Sequence, residues 1–279
     1  MSGTLTLVPT PIGNLSDISP RCREALQQAD FIAAEDTRVT LRLLNHLEIR
    51  KPLVSYYEHN KEFSGRKILE RILAGENCAQ VSDAGTPAIS DPGEDLVRLC
   101  AENGVTVISI PGPCAAVTAL SASGLPTGRF TFEGFLSTNK KSRLAHLDSL
   151  KGEARTMIFY EAPHKLCATL KDLADAFGGE RRISLCRELT KLHEEIVRTT
   201  LSEALRLYEE QPPRGEFVLV VQGAEKEAPE SISLEAALER VSALIGEGLS
   251  KKDAVKQASK ETGLPKNELY EAAIKISPC

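Results

Sequence analysis

Apolar residues in the first part of the chain form short runs, separated by longer segments with helical spacing. The short runs predict strands at residues 4–9, 31–34, 53–56, 78–82 and 105–110. The spaced segments predict helices at residues 20–29, 62–73 and 94–103, a helix after residue 38 that ends at about residue 47, and a helix that begins at about residue 114. Ser19 followed by Pro20 favours the first helix start. Such alternation is typical of a parallel sheet with helices on both faces.

The pattern continues less regularly to about residue 221. Strands are predicted at 130–133, 156–160, 182–186, 196–200 and 217–221, with helices at 142–150, 163–177 and 202–209. The last strands lie close together in sequence with one short helix between them, which predicts a mixed sheet. From residue 234 the pattern is wholly helical. Ser250 with Asp253 resembles a capping box, and the turn at residues 263–265 predicts a helix-turn-helix.

These patterns predict an α/β protein with a small helical appendage. We expect an N-terminal α/β domain at residues 1–122, a second α/β domain at 123–228, and a helical segment at 229–279. Residues 124–129 and the polar, acidic stretch at 225–233 are the expected linkers.

Composition narrows the class of protein further. The net charge of −5 provides no global basic field, so any nucleic acid must bind through a local patch. Seven scattered cysteines without a C-x-x-C pair indicate reduced thiols in the cytoplasm, and no spacing suggests a metal site. No signal peptide is expected at the start of the chain.

One uncharged stretch, residues 105–128, is long enough to span a bilayer. Prolines at 111 and 113 and glycines at 112 and 124 interrupt it, and serine and threonine dilute it. We therefore expect a strand, a turn and a buried helix there, and no membrane association.

Three glycine- and proline-rich turns follow three predicted strands, at residues 9–14, 83–87 and 111–114. The carboxyl ends of strands in an open α/β sheet are where ligands bind, and glycine lets a ligand approach the backbone. None of the turns matches a dinucleotide fingerprint or a phosphate-binding loop. Together they predict a nucleotide-sized ligand, with Asp83 pairing with hydroxyls or a cationic centre. An ordinary loop, whose aspartate caps the next helix, is the alternative.

The motifs carry a resemblance to a known family. They are V-P-T-P-I-G-N-L at 8–15, A-A-E-D-T-R at 33–38, V-S-D-A-G-T-P at 81–87, D-P-G at 91–93, P-G-P-C-A at 111–115, E-G-F-L at 133–136, F-Y-E-A-P-H at 159–164 and R-E-L-T-K at 187–191. This set resembles the 16S rRNA (cytidine-2′-O)-methyltransferase branch of the tetrapyrrole methylase family. The resemblance implies S-adenosylmethionine bound between two α/β domains, a homodimer, and a cytidine ribose of the small-subunit decoding region as acceptor.

The resemblance also implies a set of cofactor residues. They are Ile12 in the first loop, Ser82, Asp83, Ala84 and Pro87 in the acidic turn, Cys114 and Ala115 in the third loop, and Glu161 after a second-domain strand. In the first loop, prolines occupy two positions where the corrin and porphyrin relatives are richer in glycine.

Methyl transfer to a ribose hydroxyl requires orientation, a proton acceptor and stabilisation of the developing alkoxide. Glu35, Asp36, Glu188 and Lys191 are the candidate catalytic residues. The structural alternatives are a helix cap for Asp36 and a surface ion pair for Glu188 with Lys191.

RNA contact requires local positive charge. Arg38 is a candidate for positioning phosphate, and Lys140, Lys141 and Arg143 form the densest basic run between the two domains. Lys251, Lys252 and Lys256 provide a second patch on the predicted helix-turn-helix. Either run is alternatively a solvated face, and the apolar stripe of the C-terminal helices alternatively packs on a partner subunit.

The sequence therefore predicts a cytoplasmic RNA ribose methyltransferase that acts on 16S rRNA within the small ribosomal subunit. Two other readings stay open: a tetrapyrrole or protein methyltransferase of the same fold, and a non-catalytic ribosome-associated module.

Overall fold

The computed structural model describes residues 2–225 and 233–276, and its first sheet is wholly parallel. Its strands, in the order β3-β2-β4-β1-β5, are β1 (Thr4–Leu7), β2 (Phe31–Ala34), β3 (Leu53–Ser55), β4 (Cys78–Val81) and β5 (Thr106–Ser109). The connecting helices are α1 (Pro20–Gln28), α2 (Thr37–His46), α3 (Lys61–Leu73) and α4 (Gly93–Glu102), and α5 (Ala115–Ala122) follows β5. The predicted parallel sheet is confirmed.

Helices cover both faces of this sheet because its strands are apolar on both sides. In β2, Ile32 and Ala34 pack in one cluster with residues of α1 and α2, such as Leu26. Phe31 and Ala33 point the other way and pack in a second cluster with residues of α3 and α4. The period-two alternation of the strand therefore places successive side chains in two separate cores.

The second sheet is mixed, as predicted. Its strands, in the order β6-β7-β10-β8-β9, are β6 (Phe130–Phe135), β7 (Thr156–Glu161), β8 (Arg182–Arg187), β9 (Glu195–Thr200) and β10 (Phe217–Val221). Only the β6–β7 pair is parallel among these strands of the described chain. The helices are α6 (Lys140–Ser149), α7 (Leu166–Phe177), which follows a short 3₁₀ turn, and α8 (Leu201–Glu210).

The edge strand β6 is longer than its predicted range of 130–133. A bulge at Gly134, with φ of +62°, shifts the register against β7 and lets pairing continue to Phe135. Glycine adopts the left-handed region with little strain, so a bulge at this position has a low conformational energy. The bulge interrupts the simple alternation from which the strand end was predicted.

Helix α5 connects the two sheets. Its residues Ala116, Ala119 and Leu120 pack against Ile158 and Val220 of the second sheet. Residues 1–224 accordingly form one compact unit, and residues 225–279 form another. The predicted domain boundary at 122/123 falls at the end of α5, between the two sheets, and the boundary at 228/229 lies outside the described residues.

The C-terminal unit consists of α9 (Leu234–Gly246), α10 (Lys251–Thr262) and α11 (Lys266–Ile276). Ser250 caps α10 by accepting a hydrogen bond from the amide of Asp253, and Gly263 ends it with φ of +73°. Small residues of α10, such as Ala254 and Ala258, pack in the core of this unit. The predicted helix-turn-helix is confirmed.

Within residues 2–225 and 233–276, no helix combines the length and the apolar character needed to cross a membrane.

Candidate active site

The strand ends of the first sheet and one wall of the second sheet enclose a cavity of about 460 Å³. Seven of the eight predicted cofactor residues line it: Ile12, Ser82, Asp83, Ala84, Cys114, Ala115 and Glu161. The eighth, Pro87, is buried and is not part of the lining. Of the predicted catalytic residues, Glu35 and Lys191 line the cavity, whereas Asp36 and Glu188 do not.

Hydrogen bonds hold the three predicted loops together. Thr10 and Gly85 exchange backbone hydrogen bonds of 2.9 and 3.1 Å, which join the first loop to the acidic turn. The hydroxyl of Thr86 donates to the carbonyl of Pro113 at 2.8 Å and joins that turn to the third loop. The loops converge because parallel strands end at the same edge of the sheet.

Close packing explains the glycine of the third loop. A Cβ atom on Gly112 would lie 2.5 Å from the Cβ of Pro9, so the first and third loops approach each other only because residue 112 has no side chain. The P-G-P sequence therefore sets the separation of two cavity walls.

The acidic turn continues into a loop that the sequence did not assign to the site. Ile89, Ser90 and Asp91 line the cavity, and Ala88 and Ser90 have φ of 66° and 68°. Asp91 fixes this loop by accepting from the amides of Ala88 at 3.0 Å and Gly93 at 2.7 Å. Burial raises the pKa of Asp91, although those amides oppose the shift. Left-handed conformations outside glycine are frequent at functional sites.

Glu35 is the carboxylate with the most unusual surroundings at this edge. Its Oε2 accepts from the amide of Asp83 at 3.3 Å. Burial raises the pKa of Glu35, the hydrogen bond from Asp83 lowers it, and the negative charges of Asp83, Asp91 and Asp36 raise it again, so the net shift is upward. A carboxylate with a raised pKa is better matched to accepting a proton near neutral pH.

Asp36 has a different role in the structure. It is the N-cap of α2, where its side chain accepts from the amide of Arg38 at 2.8 Å. Its carboxylate also forms an ion pair with the guanidinium of Arg38, whose hydrogen bonds hold the pKa of Asp36 at about 2. Asp36 therefore caps a helix, as the structural alternative stated. In addition, the backbone amide of Asp36 donates to Asp83 Oδ1 at 2.9 Å.

On the opposite wall, Glu161 is buried and its two oxygens are engaged. Oε1 accepts from the amide of Ala162 at 2.8 Å and Oε2 accepts from the hydroxyl of Thr169 at 2.5 Å. The neighbouring Tyr160 accepts a hydrogen bond from the amide of Ala116 at 3.1 Å, and burial raises its pKa to about 12. The start of α5 is thereby fixed to the second sheet at the cavity.

Lys191 is held between two carboxylates. Its Nζ donates to Glu188 at 2.8 Å and to Glu216 at 2.9 Å. Burial lowers the pKa of Lys191, but the hydrogen bonds to Glu188 and Glu216 outweigh it, and the net shift is upward. The hydrogen bond from Lys191 also lowers the pKa of Glu188. The lysine is therefore a fixed cation at neutral pH.

The predicted RNA-binding residues are placed unevenly. Lys140 and Lys141 are exposed in the first turn of α6, but Arg143 is mostly buried and donates to Asp172 at 2.6 Å. The side chain of Arg38 is 85% exposed while paired with Asp36. In the C-terminal unit, Lys251 is half-buried and Lys252 and Lys256 are exposed. Their contact with RNA stays a prediction.

Further lining residues were missed, among them Phe135, Leu189 and Glu216. Phe135 and Leu189 stand in the quoted E-G-F-L and R-E-L-T-K motifs, which is the signal that points to them. Glu216 has no sequence signal, because its position beside Lys191 depends on the antiparallel pairing of β10 with β8.

Comparison with known proteins gives one consistent family. Residues 4–205 match the tetrapyrrole (corrin/porphyrin) methylases, and residues 233–277 match the RsmI C-terminal HTH domain. A Synechocystis sp. relative named ribosomal RNA small subunit methyltransferase I is 48% identical over 274 residues, covering 98% of both chains. The Bacillus subtilis (strain 168) protein of the same name is 47% identical over 274 residues, covering 97% of this chain and 94% of the relative.

The solved structures agree on the fold. Uroporphyrin-III C-methyl transferase from Thermus thermophilus, complexed with S-adenyl homocysteine, has a TM-score of 0.55 at 19% identity, covering 79% of this chain and 97% of that chain. At that identity the likeness concerns the fold alone. The family is shown by the match over residues 4–205 and by the relatives that match along nearly the whole length. The chain therefore belongs to the tetrapyrrole methylase family, in the branch of the relatives named ribosomal RNA small subunit methyltransferase I.

Proposed function

We propose that this protein methylates the ribose 2′-hydroxyl of a cytidine in the decoding region of 16S rRNA, with S-adenosylmethionine as donor. The charge of the cavity is the observation that supports S-adenosylmethionine as the donor. Its lining contains the carboxylates of Glu35, Asp83, Asp91, Glu161 and Glu216, and within the described residues Lys191 is its one basic side chain.

An acidic cavity selects among nucleotide-sized ligands. A nucleoside triphosphate would place several negative charges beside these carboxylates, which is electrostatically unfavourable. S-adenosylmethionine carries a net positive charge and two ribose hydroxyls, both of which suit carboxylate neighbours. Ile12, Leu189 and Val218 add apolar surface for an adenine ring. The residues present therefore fit the donor, and Asp83 with Glu35 would face its polar groups.

The chemistry then requires two groups from the chain. When bound, S-adenosylmethionine supplies an electrophilic methyl group on a sulfonium. Glu35, with its raised pKa, accepts the proton of the attacking hydroxyl. Lys191 remains protonated and stabilises negative charge that develops on the acceptor oxygen. Both side chains line the same cavity.

The acceptor is supported by the family branch. The relatives are named for the small-subunit ribosomal RNA, and residues 233–277 match a domain described in connection with RsmI proteins. The motif set from residue 8 to 191 supports the cytidine ribose in particular. Because such an acceptor lies in a folded particle, we infer that the substrate is the assembled small subunit in the cytoplasm.

A homodimer is part of the proposal. Two of the edge strands expose apolar side chains, which are Ile108 of β5 and Phe130, Phe132 and Phe135 of β6. Exposed apolar edges are liabilities in a monomer, and an isologous interface covers them. Sedimentation equilibrium should give twice the chain mass, and a monomer at micromolar concentration would contradict this part.

The function is tested with small subunits from cells that lack this protein. Purified protein and S-adenosylmethionine should add one ribose methyl group to a cytidine of the 16S rRNA, located by mass mapping of nuclease fragments. Calorimetry should show binding of S-adenosylhomocysteine. Donor binding with transfer only to a tetrapyrrole or a protein would assign another acceptor. Absence of donor binding would favour a non-catalytic ribosome-associated module.

A further inference from the structure

The loop between β8 and β9, residues 188–194, is unusually constrained. Glu188 and Thr190 have φ of 52° and 66°, a region that side-chain-bearing residues rarely adopt. The amide of Lys191 donates to the carbonyl of Glu188 at 3.0 Å, and the amide of Thr190 donates to a carboxylate oxygen of Glu194 at 2.5 Å. Glu188 is itself tied to Glu216 by a backbone hydrogen bond of 3.0 Å. The loop is therefore held in one shape.

This loop presents a leucine to solvent beside the cavity. Leu192 is 93% exposed, more than any other large apolar residue of the described chain, and Phe63 at 68% is next. Leu189 and Lys191, on the same loop, line the cavity. A single exposed leucine on an ordinary surface requires no explanation. Here a backbone fixed in an unfavourable conformation holds it next to the cavity, which indicates a use.

The charges around the tip of the loop disfavour a phosphate as its partner. Glu194 accepts from Thr190, Glu195 forms an ion pair with Arg187 at 2.9 Å, and Lys191 is engaged by Glu188 and Glu216. Lys191 is directed to the cavity and not to the tip of the loop, and the nearby Glu194 carboxylate is unfavourable for a phosphodiester there. What the tip offers is aliphatic surface, which suits the face of an unstacked base.

We propose that Leu192 is a wedge that packs on a base next to the acceptor nucleotide and so holds the acceptor ribose towards Lys191. This inference rests on the proposed function. A recessed cavity reaches the 2′-hydroxyl of a nucleotide most directly when that nucleotide is splayed out of its stack, and apolar side chains can insert between the bases that are separated in this way. Leu192 is thus a positioning residue. It does not contact the reacting atoms, which lie in the cavity.

The test compares Leu192→Ala, Leu192→Met and the unchanged protein on small subunits. Leu192→Ala should lower kcat/KM for methyl transfer roughly tenfold to hundredfold, the range that corresponds to burying one leucine. Leu192→Met, which keeps an apolar side chain of similar length, should stay within about threefold of the unchanged protein. Chemical probing with S-adenosylhomocysteine present should show one base beside the acceptor becoming reactive with the unchanged protein and protected with Leu192→Ala.

Four measurements exclude other roles. Phe63→Ala removes an exposed apolar side chain that does not line the cavity, and it should leave transfer unchanged. Affinity for S-adenosylhomocysteine and the midpoint of thermal unfolding should be the same for Leu192→Ala and the unchanged protein. A shift of Leu192→Ala to a smaller species in sedimentation would identify Leu192 as a subunit contact and overturn the inference.

The inference and the proposed function fail separately. If the unchanged protein binds the donor but never methylates small subunits, the acceptor assignment is wrong, and the role proposed for Leu192 is wrong as well. If the unchanged protein methylates them and Leu192→Ala does so at the same rate, the wedge alone is wrong. Failure of Leu192→Met to preserve the rate would also contradict it.

Discussion

At the scale of single residues, adjacent carboxylates of one motif have opposite properties. Burial and nearby negative charges raise the pKa of Glu35, whereas Arg38 holds that of Asp36 at about 2. A base with a low pKa accepts protons poorly near neutral pH, and Asp36 is already committed to capping α2. The geometry therefore favours Glu35 as the proton acceptor within the A-A-E-D-T-R motif.

Glu35→Gln should reduce the rate of methyl transfer about 10²- to 10⁴-fold, because the amide keeps the shape and cannot accept the proton. The base acts only when deprotonated, so activity of the unchanged protein falls as the pH decreases through the raised pKa of Glu35, above its ordinary value of 4.5. Rate–pH profiles should lose this acidic limb in Glu35→Gln and keep it in Asp36→Asn. An acidic limb that persists in Glu35→Gln would assign the proton to another group.

Two threonines with buried hydroxyls should respond in opposite ways to the same substitution. Thr169 donates to the buried Glu161 at 2.5 Å, so Thr169→Val leaves a carboxylate oxygen unsatisfied and should cost about 1–3 kcal/mol of unfolding free energy. The hydroxyl of Thr131 is buried and has no hydrogen-bond partner among the described residues. Thr131→Val should therefore be neutral or stabilising. Urea unfolding measures both, and equal losses would contradict the assignment.

At the scale of elements, the sequence was sufficient to predict a strand or helix wherever the apolar periodicity and the turn-forming residues indicate the same boundary. The convergence of three loops followed from their position after parallel strands. The length of β6 did not, because the bulge at Gly134 breaks the alternation, and the place of Glu216 beside Lys191 required the order of the second sheet. Ala88 and Thr190 were not predicted to be left-handed, because their conformations go with hydrogen bonds from their amides to the carboxylates of Asp91 and Glu194, which the spacing of apolar residues does not reveal.

The glycine of the third loop offers a test of loop packing. A Cβ on Gly112 would overlap the Cβ of Pro9 at 2.5 Å, so Gly112→Ala should push the first and third loops apart. We expect a loss of about 1–3 kcal/mol in unfolding free energy and weaker binding of S-adenosylhomocysteine. Gly128→Ala is the control, since no atom of the described chain lies within 4 Å of its added Cβ. Equal donor affinity in Gly112→Ala and Gly128→Ala would show that loop spacing does not shape the site.

At the scale of the whole molecule, a protein of net charge −5 is proposed to bind a polyanion. The cavity is acidic, so electrostatic attraction to RNA has to arise elsewhere on the surface. Helix α10 provides such a surface, because Lys252, Lys256 and Lys260 are exposed at intervals of four residues and so share one face of the helix. Its opposite face, with Ala254 and Ala258, is buried in the C-terminal unit.

Replacement of Lys252, Lys256 and Lys260 by glutamine should weaken binding to small subunits while donor affinity and the rate at saturating subunits stay the same. Removal of one lysine that neutralises a phosphate lowers the slope of log affinity against log salt by roughly 0.7–0.9, so the triple variant should lower it by up to about 2–3. Glutamine keeps the helix and removes only charge. Filter binding at several salt concentrations measures the slope. An unchanged slope together with a smaller sedimenting species would instead make the helical unit a subunit contact, because the lysines would then act on a second copy of the chain and not on RNA.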